Sequence, residues 1–333
     1  MKAIAAIDTL VKKIMPLLVV AVLAIGYFAG LGFTKQTIHA VKALILPGVI
    51  IMIYAMLITM RMQDLVNAVK YPKELVLGSI LSLIIAPVLM LPMAILFTRN
   101  PEQYAGLMLA GIVPPGGLIT YWTGILDADI GLATAIQTVT LLASLAWVPY
   151  GMKIFVGNKV NVNVSLLFQK ILIMVVVPLA LAMITQRLIV RKGGWKGVLR
   201  IKPLCHLTSS TMALLICFIA TSVKAAMISK HPAVIALPAV GALLYYLLAY
   251  PLSYFASKRI FKLPHDKAIP LTYGFATKNL SIAMGLAAAA FGPLTLLGVV
   301  PCALFQMPLA SVWYKIFDKL RVKAETPSAS DSP

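Results

Sequence analysis

The residues most able to do chemistry lie inside two apolar stretches of the sequence. The first stretch is interrupted by Pro114-Pro115-Gly116-Gly117 and the second by Thr277-Lys278-Asn279. The prolines remove backbone N–H groups, and the glycines permit backbone angles that other residues resist. Because freed backbone groups cannot face lipid, such a segment must be buried in protein or line a wet cavity. The two interruptions therefore indicate a solute or ion site, with a packing kink as the structural alternative.

Lys278 is the most informative single residue. It lies ~10 residues from either end of its stretch, too far for its amine to reach a lipid headgroup fully. A cation at the centre of a bilayer costs ~2.5–3.5 kcal/mol on insertion scales, so it needs a partner. All ten Asp and Glu residues fall outside the apolar stretches. Three solutions remain: carbonyls released at the Pro-Gly interruption, a bound anion, or a neutral amine. A lysine tied permanently to those carbonyls is the structural alternative to a role in transport.

Other polar side chains could line the same cavity. Each Ser or Thr could instead be a helix–helix contact or a hydroxyl bonded to its own helix. The candidate substrate- or ion-binding set is Pro115, Gly116, Gly117, Thr120, Tyr121, Gln137, Thr138, Thr277, Lys278, Asn279 and Ser281. No catalytic arrangement, metal-ligand spacing or cofactor motif is present in the sequence, which favours a protein that is not an enzyme and needs no cofactor.

Composition indicates what kind of protein must position these residues. Apolar residues make up 61% of the 333-residue chain and charged residues 12%, against ~45–50% and ~25% in soluble domains. So few charges cannot cover a soluble surface, which indicates an integral protein of the lipid bilayer. The net charge of +19 does not indicate a nucleic-acid partner, because the basic residues lie in short gaps between apolar runs.

Ten apolar stretches are long enough to cross the bilayer as helices, each needing ~20 residues. Their continuous apolar character excludes a strand barrel. Of the 29 Lys and Arg residues, 20 fall on the N-terminal side of the membrane, and 8 on the opposite side when Lys170 and Lys224, near the ends of their stretches, are counted there. Lys278 lies deep inside a stretch. This bias predicts a multi-pass protein of the cell (inner) membrane with both termini in the cytoplasm. The stretches are roughly 14–33, 43–60, 75–97, 104–124, 131–151, 166–186, 206–228, 233–256, 268–290 and 294–314.

Ten spans divide into two sets of five, residues 10–165 and 166–318. Because five is odd, the second set enters the membrane from the other side, which gives an inverted repeat if the sets share a fold. Each interruption is in the fourth span of its set, ~15 Å from that span's start, and so near the midplane. The predicted fold is all-α, with ten transmembrane helices in an inverted 5+5 repeat and discontinuous helices 4 and 9 crossing near the midplane. The polar tail, 324–333, is predicted to be disordered.

Around the two interruptions the chain resembles the superfamily of bile acid:sodium symporters and arsenite efflux permeases. Pro115-Gly116-Gly117 is similar to the symporters' Pro-Gly-Gly in helix four, and Lys278-Asn279-Leu280-Ser281-Ile282 to their Gln-Asn-Ser-Gly-Leu in helix nine. Pro114-Pro115, Trp122 and Asp129 are similar to the permeases' Pro-Cys, Trp and Gly-Asp. The resemblance implies a core of helices 3–5 and 8–10, a panel of helices 1, 2, 6 and 7, and alternating access in which the core moves against the panel.

The acidic site residue of both families is missing from this chain. The symporters' sodium-binding Glu falls on Gly274, and the permeases' helix-nine Glu falls on Ser281. The permeases' essential Cys falls on Pro115, and the symporters' Ser-Asn after Pro-Gly-Gly falls on Thr120-Tyr121. Lys278 stands where the symporters have a sodium-ligating Gln. The resemblance therefore supports a transporter but neither family's usual ion chemistry.

We expect the Lys278 ammonium to take the place of the coupling cation where the two spans cross. Transport would then be sodium-independent, and either facilitated or coupled to a proton on Lys278. A fixed positive charge and half-helix N-termini favour negative solutes, which predicts a small organic anion as the substrate. Two alternatives stay open: an arsenite or antimonite efflux permease, and a non-transporting membrane sensor or structural protein.

Overall fold

The computed structural model describes residues 2–59, 71–160 and 164–325 of the chain. Within these ranges seven helical stretches are long and apolar enough to cross a membrane, and there is no β-strand. Together with the composition, they make the chain an all-helical, multi-pass membrane protein. The tail predicted to be disordered is 324–333, and from residue 326 onward it lies outside the described residues. Its first two residues, 324 and 325, belong instead to the last helix, which extends to Glu325.

The helices follow the apolar stretches of the sequence. They are α1 (Lys2–Leu31), α2 (Lys35–Ala43), α3 (Ile45–Ile58), α4 (Pro72–Ile80), α5 (Ala86–Phe97), α6 (Pro101–Ile112), α7 (Leu118–Ile125), α8 (Ile130–Val156), α9 (Val164–Ile171), α10 (Val177–Lys230), α11 (Ala233–Phe255), α12 (His265–Ala276), α13 (Leu280–Leu286) and α14 (Pro293–Glu325).

Four π-helical turns continue these helices within the described ranges. In a π-turn the backbone bonds i to i+5, which is rare and is found often at functional sites. The turns are Leu81–Ile85 between α4 and α5, Leu172–Val176 between α9 and α10, Ala256–Ile260 after α11 and Ala287–Phe291 after α13. The first and last of them matter for the site below.

Helix α10 contains two of the predicted spans. It is 54 residues long, about 80 Å at ~1.5 Å per residue, which is more than twice the ~30 Å hydrocarbon core. The predicted gap between the two spans, rich in Arg and Lys, contains a break at Gly194, whose backbone (φ 61°, ψ −168°) is not helical, so that two helices meet there. That backbone conformation is essentially restricted to glycine. Length therefore allows α10 to cross the membrane twice.

Both predicted interruptions are confirmed. The first breaks the helix between α6 and α7, over 113–117, and the second breaks it between α12 and α13, over 277–279. We call α6 with α7 the first broken segment, and α12 with α13 and the π-turn Ala287–Phe291 the second broken segment. Because each half is short, neither segment is among the seven long stretches.

The helices pack in two groups. Helix α10 lies along α1 and α3, while α14 packs against α6 and α11, and α11 against α5 and α12. Glycines allow close approach in both groups. A Cβ on Gly30 would lie 2.2 Å from the Ser222 carbonyl oxygen, and one on Gly106 would lie 2.0 Å from that of Thr295. Both broken segments belong to the second group, which α1 and α10 also contact through α14.

Candidate functional site

The two interruptions contact each other directly. The Asn279 backbone N–H donates to the Pro114 carbonyl at 2.8 Å. Gly116 is buried there, and a Cβ on it would lie 3.3 Å from the Asn279 Cα atom. The Pro-Gly sequence thus supplies both a carbonyl freed from its helix and a surface flat enough for another backbone. The two broken segments therefore cross at their interruptions.

The Lys278 amine is buried at this crossing, with 1% of the residue exposed. Its Nζ atom donates to the Ser82 backbone carbonyl at 2.7 Å and lies 3.4 Å from the Ser82 hydroxyl oxygen. The Ser82 carbonyl is not among the three ways of satisfying the amine that the sequence suggested. The carbonyl comes from the π-turn between α4 and α5, and the Pro114 carbonyl is used by Asn279 instead.

The Ser82 carbonyl is free because of its own helix. In the π-turn the Ala86 N–H donates to the Leu81 carbonyl, so it does not reach Ser82. The next residue along the chain is Pro87, which has no N–H to give. A carbonyl left unpaired in an apolar interior is costly, and the Lys278 amine satisfies it. The π-turn and the lysine therefore stabilise each other.

Gln306 of α14 bonds to both backbone polar groups of Lys278. Its Oε1 atom accepts from the Lys278 N–H at 2.7 Å, and its Nε2 atom donates to the Lys278 carbonyl at 3.1 Å. Two buried tyrosines of α11 complete the network, because the Tyr246 hydroxyl donates to Gln306 Oε1 at 3.0 Å and the Tyr250 hydroxyl to the Gln306 carbonyl at 3.2 Å. The position of Lys278 is therefore fixed from three helices.

No carboxylate balances Lys278 within the described part of the chain. The Lys and Arg ion pairs found there do not involve Lys278: Lys267 pairs with Glu74 at 2.6 Å, and Arg321 with Asp127 at 2.8 Å and Asp318 at 3.1 Å. A protonated amine at the crossing is thus an uncompensated positive charge in an apolar interior. Such a charge attracts an anion more strongly than it would in water.

The position of Gly274 is filled by hydrocarbon. A Cβ there would lie 3.0 Å from Ile119 Cδ1 and 3.4 Å from Ile136 Cγ2, and both isoleucines are fully buried. Gly274 is where the resembling symporters carry their sodium-binding Glu. Neither glycine nor isoleucine offers the side-chain oxygen that a hard cation requires. The Gly274 position therefore provides no side-chain oxygen for sodium.

Several predicted site residues use their polar groups locally. The Thr277 hydroxyl donates to the Tyr273 carbonyl at 2.5 Å and the Thr120 hydroxyl to the Gly117 carbonyl at 2.9 Å. These are bonds within a helix or across its first turn. Asn279 caps α13, because its side chain accepts from the Ile282 N–H at 3.3 Å. Pro115 is buried beside the crossing and Ser281 is half-buried next to it on α13.

The remaining predicted residues lie further along the first broken segment and on α8. Gly117 is exposed and a Cβ on it would meet nothing within 4 Å, while Tyr121 is 47% exposed. Gln137 is half-buried and Thr138 buried on α8, and neither bonds to an interruption within the described ranges. The sequence analysis missed Ser82 as the partner of Lys278. The one signal for it was Pro87, which removes a donor near that position.

Comparison with known proteins supports the resemblance. A family model described as "Sodium Bile acid symporter family" matches residues 46–231, more than half of the 333 residues. The chain is 26% identical over 283 residues to "Probable sodium/metabolite cotransporter BASS5, chloroplastic" of Arabidopsis thaliana, covering 80% of this chain and 67% of that protein. It is 25% identical over 290 residues to "Arsenical-resistance protein Acr3" of Alkaliphilus metalliredigens (strain QYMF), covering 81% and 80%. It is 23% identical over 291 residues to "Uncharacterized sodium-dependent transporter YocS" of Bacillus subtilis (strain 168), covering 87% and 85%.

Proposed function

Because the chain belongs to the sodium bile acid symporter family and is therefore a transporter rather than an enzyme, we propose that it carries a small organic anion by alternating access without sodium. In this proposal Lys278 takes the place of the coupling cation. The observation that supports it most directly is the position of the Lys278 amine, which is buried where the broken segments cross, 2.7 Å from the Ser82 carbonyl.

An ammonium group and a sodium ion have the same charge, and both bind carbonyl oxygen. The Lys278 amine already takes the oxygen that the π-turn releases, and it is tethered there. Gly274 and the two isoleucines beside it leave no carboxylate to bind a second cation. Both features support sodium-independent transport, although the names of BASS5 and YocS associate those proteins with sodium. The proposal therefore differs from those names in the coupling ion, because we propose that this chain uses no sodium.

The buried charge of Lys278 supports the proposed class of substrate. A fixed cation without a neighbouring acid favours a negative solute, and the exposed turn at Gly117 leaves the start of α7 open beside the crossing. The substrate set we propose is the predicted one, centred on Lys278, Asn279 and Ser281 with Gly116, Gly117, Thr120 and Tyr121 of the other segment. Transport is facilitated, or coupled to a proton that Lys278 carries.

The architecture we propose is ten spans in an inverted 5+5 repeat. The length of α10 allows two crossings, and the two broken segments supply the fourth span of each half. The core then contains both broken segments and α4, α5, α8, α11 and α14, and the panel contains α1, α3, α9 and α10. The two packing groups support this division. The charge bias supports cytoplasmic termini in the cell (inner) membrane.

Uptake into proteoliposomes tests the proposal. The purified protein is reconstituted, and uptake of a panel of radiolabelled small carboxylates is measured with sodium outside and then with potassium replacing it. We expect equal initial rates in the two salts, and a rate that rises with an imposed proton gradient if Lys278 carries a proton. Uptake that needs sodium contradicts the proposal. Protein-free liposomes and Lys278→Ala liposomes are the controls.

A second candidate function is arsenite or antimonite efflux. It is favoured by the match to Acr3, which covers 81% of this chain and 80% of that protein. Against it, Pro115 and Ser281 stand where the resembling permeases have their essential Cys and Glu. Expression in a metalloid-sensitive host decides between the two. Growth protected from arsenite supports efflux, and unchanged sensitivity removes that candidate.

A further inference from the structure

The second half of the second broken segment is closed against the other packing group. Helix α13 packs on α3 and α10, and the π-turn after it packs on α3 and α9. Side chains cross this boundary. The Asn279 Nδ2 atom lies 3.3 Å from Met56 Sδ, and the Cys217 Sγ atom lies 3.7 Å from Met284 Sδ. Every residue of α13 except Ser281 is buried.

The second half of the first broken segment is open. Helix α7 packs mainly on α8 and α12 of its own group. Tyr121 and Ile125 are 47% and 38% exposed, and Gly117 has free space around it. In the orientation proposed above, α7 runs toward the cytoplasm and α13 toward the outside. The second half that is exposed then lies on the cytoplasmic side, and the second half that is closed lies on the outer side.

Lys170 adds a charged donor to the contacts at the closed side. Its half-buried side chain on α9 donates from Nζ to the Ala289 carbonyl at 2.8 Å. Ala289 lies in the π-turn Ala287–Phe291, and the residue whose N–H would bond its carbonyl in an α-helix is Pro293. The carbonyl is therefore free for the same reason as that of Ser82, and again a lysine from another helix takes it.

The two lysine contacts differ in which parts they connect. Lys278 and Ser82 both belong to the group that contains the broken segments, so their bond survives movement of that group as one body. Lys170 lies on α9, which continues through the π-turn Leu172–Val176 into α10 of the first group, whereas Ala289 belongs to the second group. Their bond must therefore break when the outer side opens. We propose that Lys170 is a positioning residue that holds the outer side closed. This inference rests on the alternating access proposed above.

Thiol labelling tests the inference without any solute. In a background with Cys205, Cys217 and Cys302 replaced by serine, Ser281→Cys on α13 reports access from the outside and Tyr121→Cys on α7 access from the cytoplasm. Adding Lys170→Ala should raise the labelling rate of Ser281→Cys by a membrane-impermeant reagent roughly three- to tenfold, as expected for the loss of one half-buried hydrogen bond. Labelling of Tyr121→Cys should stay equal or fall.

Lys224→Ala is the matched control. Lys224 is also half-buried, lies near the predicted outer end of α10, and bonds to neither broken segment within the described ranges. Lys170→Arg keeps a donor and should give a smaller rise than Lys170→Ala. A rise confined to the Lys170 variants supports the inference. Equal labelling in Lys170→Ala and its parent, or the same rise in Lys224→Ala, overturns it. Because labelling needs neither solute nor sodium, this outcome is independent of the uptake experiment.

Discussion

The two broken segments are alike in their first halves and at their breaks, and different in their second halves. In α6 every residue from Gln103 to Ile112 is buried, and in α12 every residue from Ala268 to Ala276. Beyond the breaks, α13 is buried at all but one position, whereas α7 buries only Ile119, Trp122 and Thr123. The first halves therefore anchor both segments in the second packing group. The second halves are the parts whose surroundings can change during transport.

The largest expected effect is at the second break. Lys278→Ala removes the amine and leaves the Ser82 carbonyl unpaired, so uptake should fall at least tenfold (about 1.4 kcal/mol or more). Lys278→Gln replaces the cation with a neutral amide and should recover uptake only in sodium. Initial rates in proteoliposomes measure both variants. Uptake by Lys278→Ala at the rate of the unmodified protein would show that the amine has only a structural role.

The second-largest expected effect is a loss of stability when Gln306, which bonds to the backbone at the second break, is replaced. Gln306→Met leaves the Lys278 N–H without a partner in an apolar interior, whereas the Lys278 carbonyl keeps the Leu280 N–H, which donates to it at 3.0 Å. We expect a loss of about 1–3 kcal/mol in unfolding free energy, as for one buried donor left unpaired. Thermal unfolding in detergent measures it, with Gln137→Met on α8 as the control. Equal melting temperatures for the two variants would mean that Gln306 does not hold the break.

The first break offers a matched pair of glycines. Gly116→Ala brings a Cβ within 3.3 Å of Asn279, which should separate the two breaks slightly and cost about 1–2 kcal/mol. Uptake should fall several-fold. Gly117→Ala points into open space and should leave stability within about 0.5 kcal/mol. Similar losses in both variants would contradict the direct contact between the breaks.

The smallest expected effect is at the open end of the first segment. Arg321 bonds to Asp127, just beyond α7, at 2.8 Å, and Asp127 is 75% exposed. Because exposed ion pairs are screened, Arg321→Gln should change the unfolding free energy by no more than about 1 kcal/mol. The effect should shrink further in high salt. A large loss of stability would mean that the open half is held more firmly than its exposure indicates.

The sequence predicted the breaks because their causes are local. Paired prolines and glycines at 114–117 interrupt a helix wherever they occur, and Lys278 lies too deep in its span to reach water. The partner of Lys278 depends instead on the register of α4 and α5, where a π-turn inside a continuous apolar run frees one particular carbonyl. Apolar periodicity does not reveal that turn. Pro87 indicates only that some carbonyl nearby lacks a donor.

Helix α10 shows a second limit of hydropathy. The basic segment from Arg187 to Lys202 was expected to be a gap between spans, and charge alone marks it as one. Arg and Lys are nonetheless good helix formers, so the segment is helical on both sides of Gly194, where two helices meet. The sequence also did not predict that α13 is closed and α7 is open, since this difference depends on how the two packing groups are placed.

The most direct test of the central claim is equilibrium binding of radioactive sodium to the purified protein and to Lys278→Gln. If the Lys278 ammonium occupies the place of the cation, the unmodified protein should show no saturable binding, and Lys278→Gln should bind sodium at one site. Saturable binding of sodium by the unmodified protein would contradict the account.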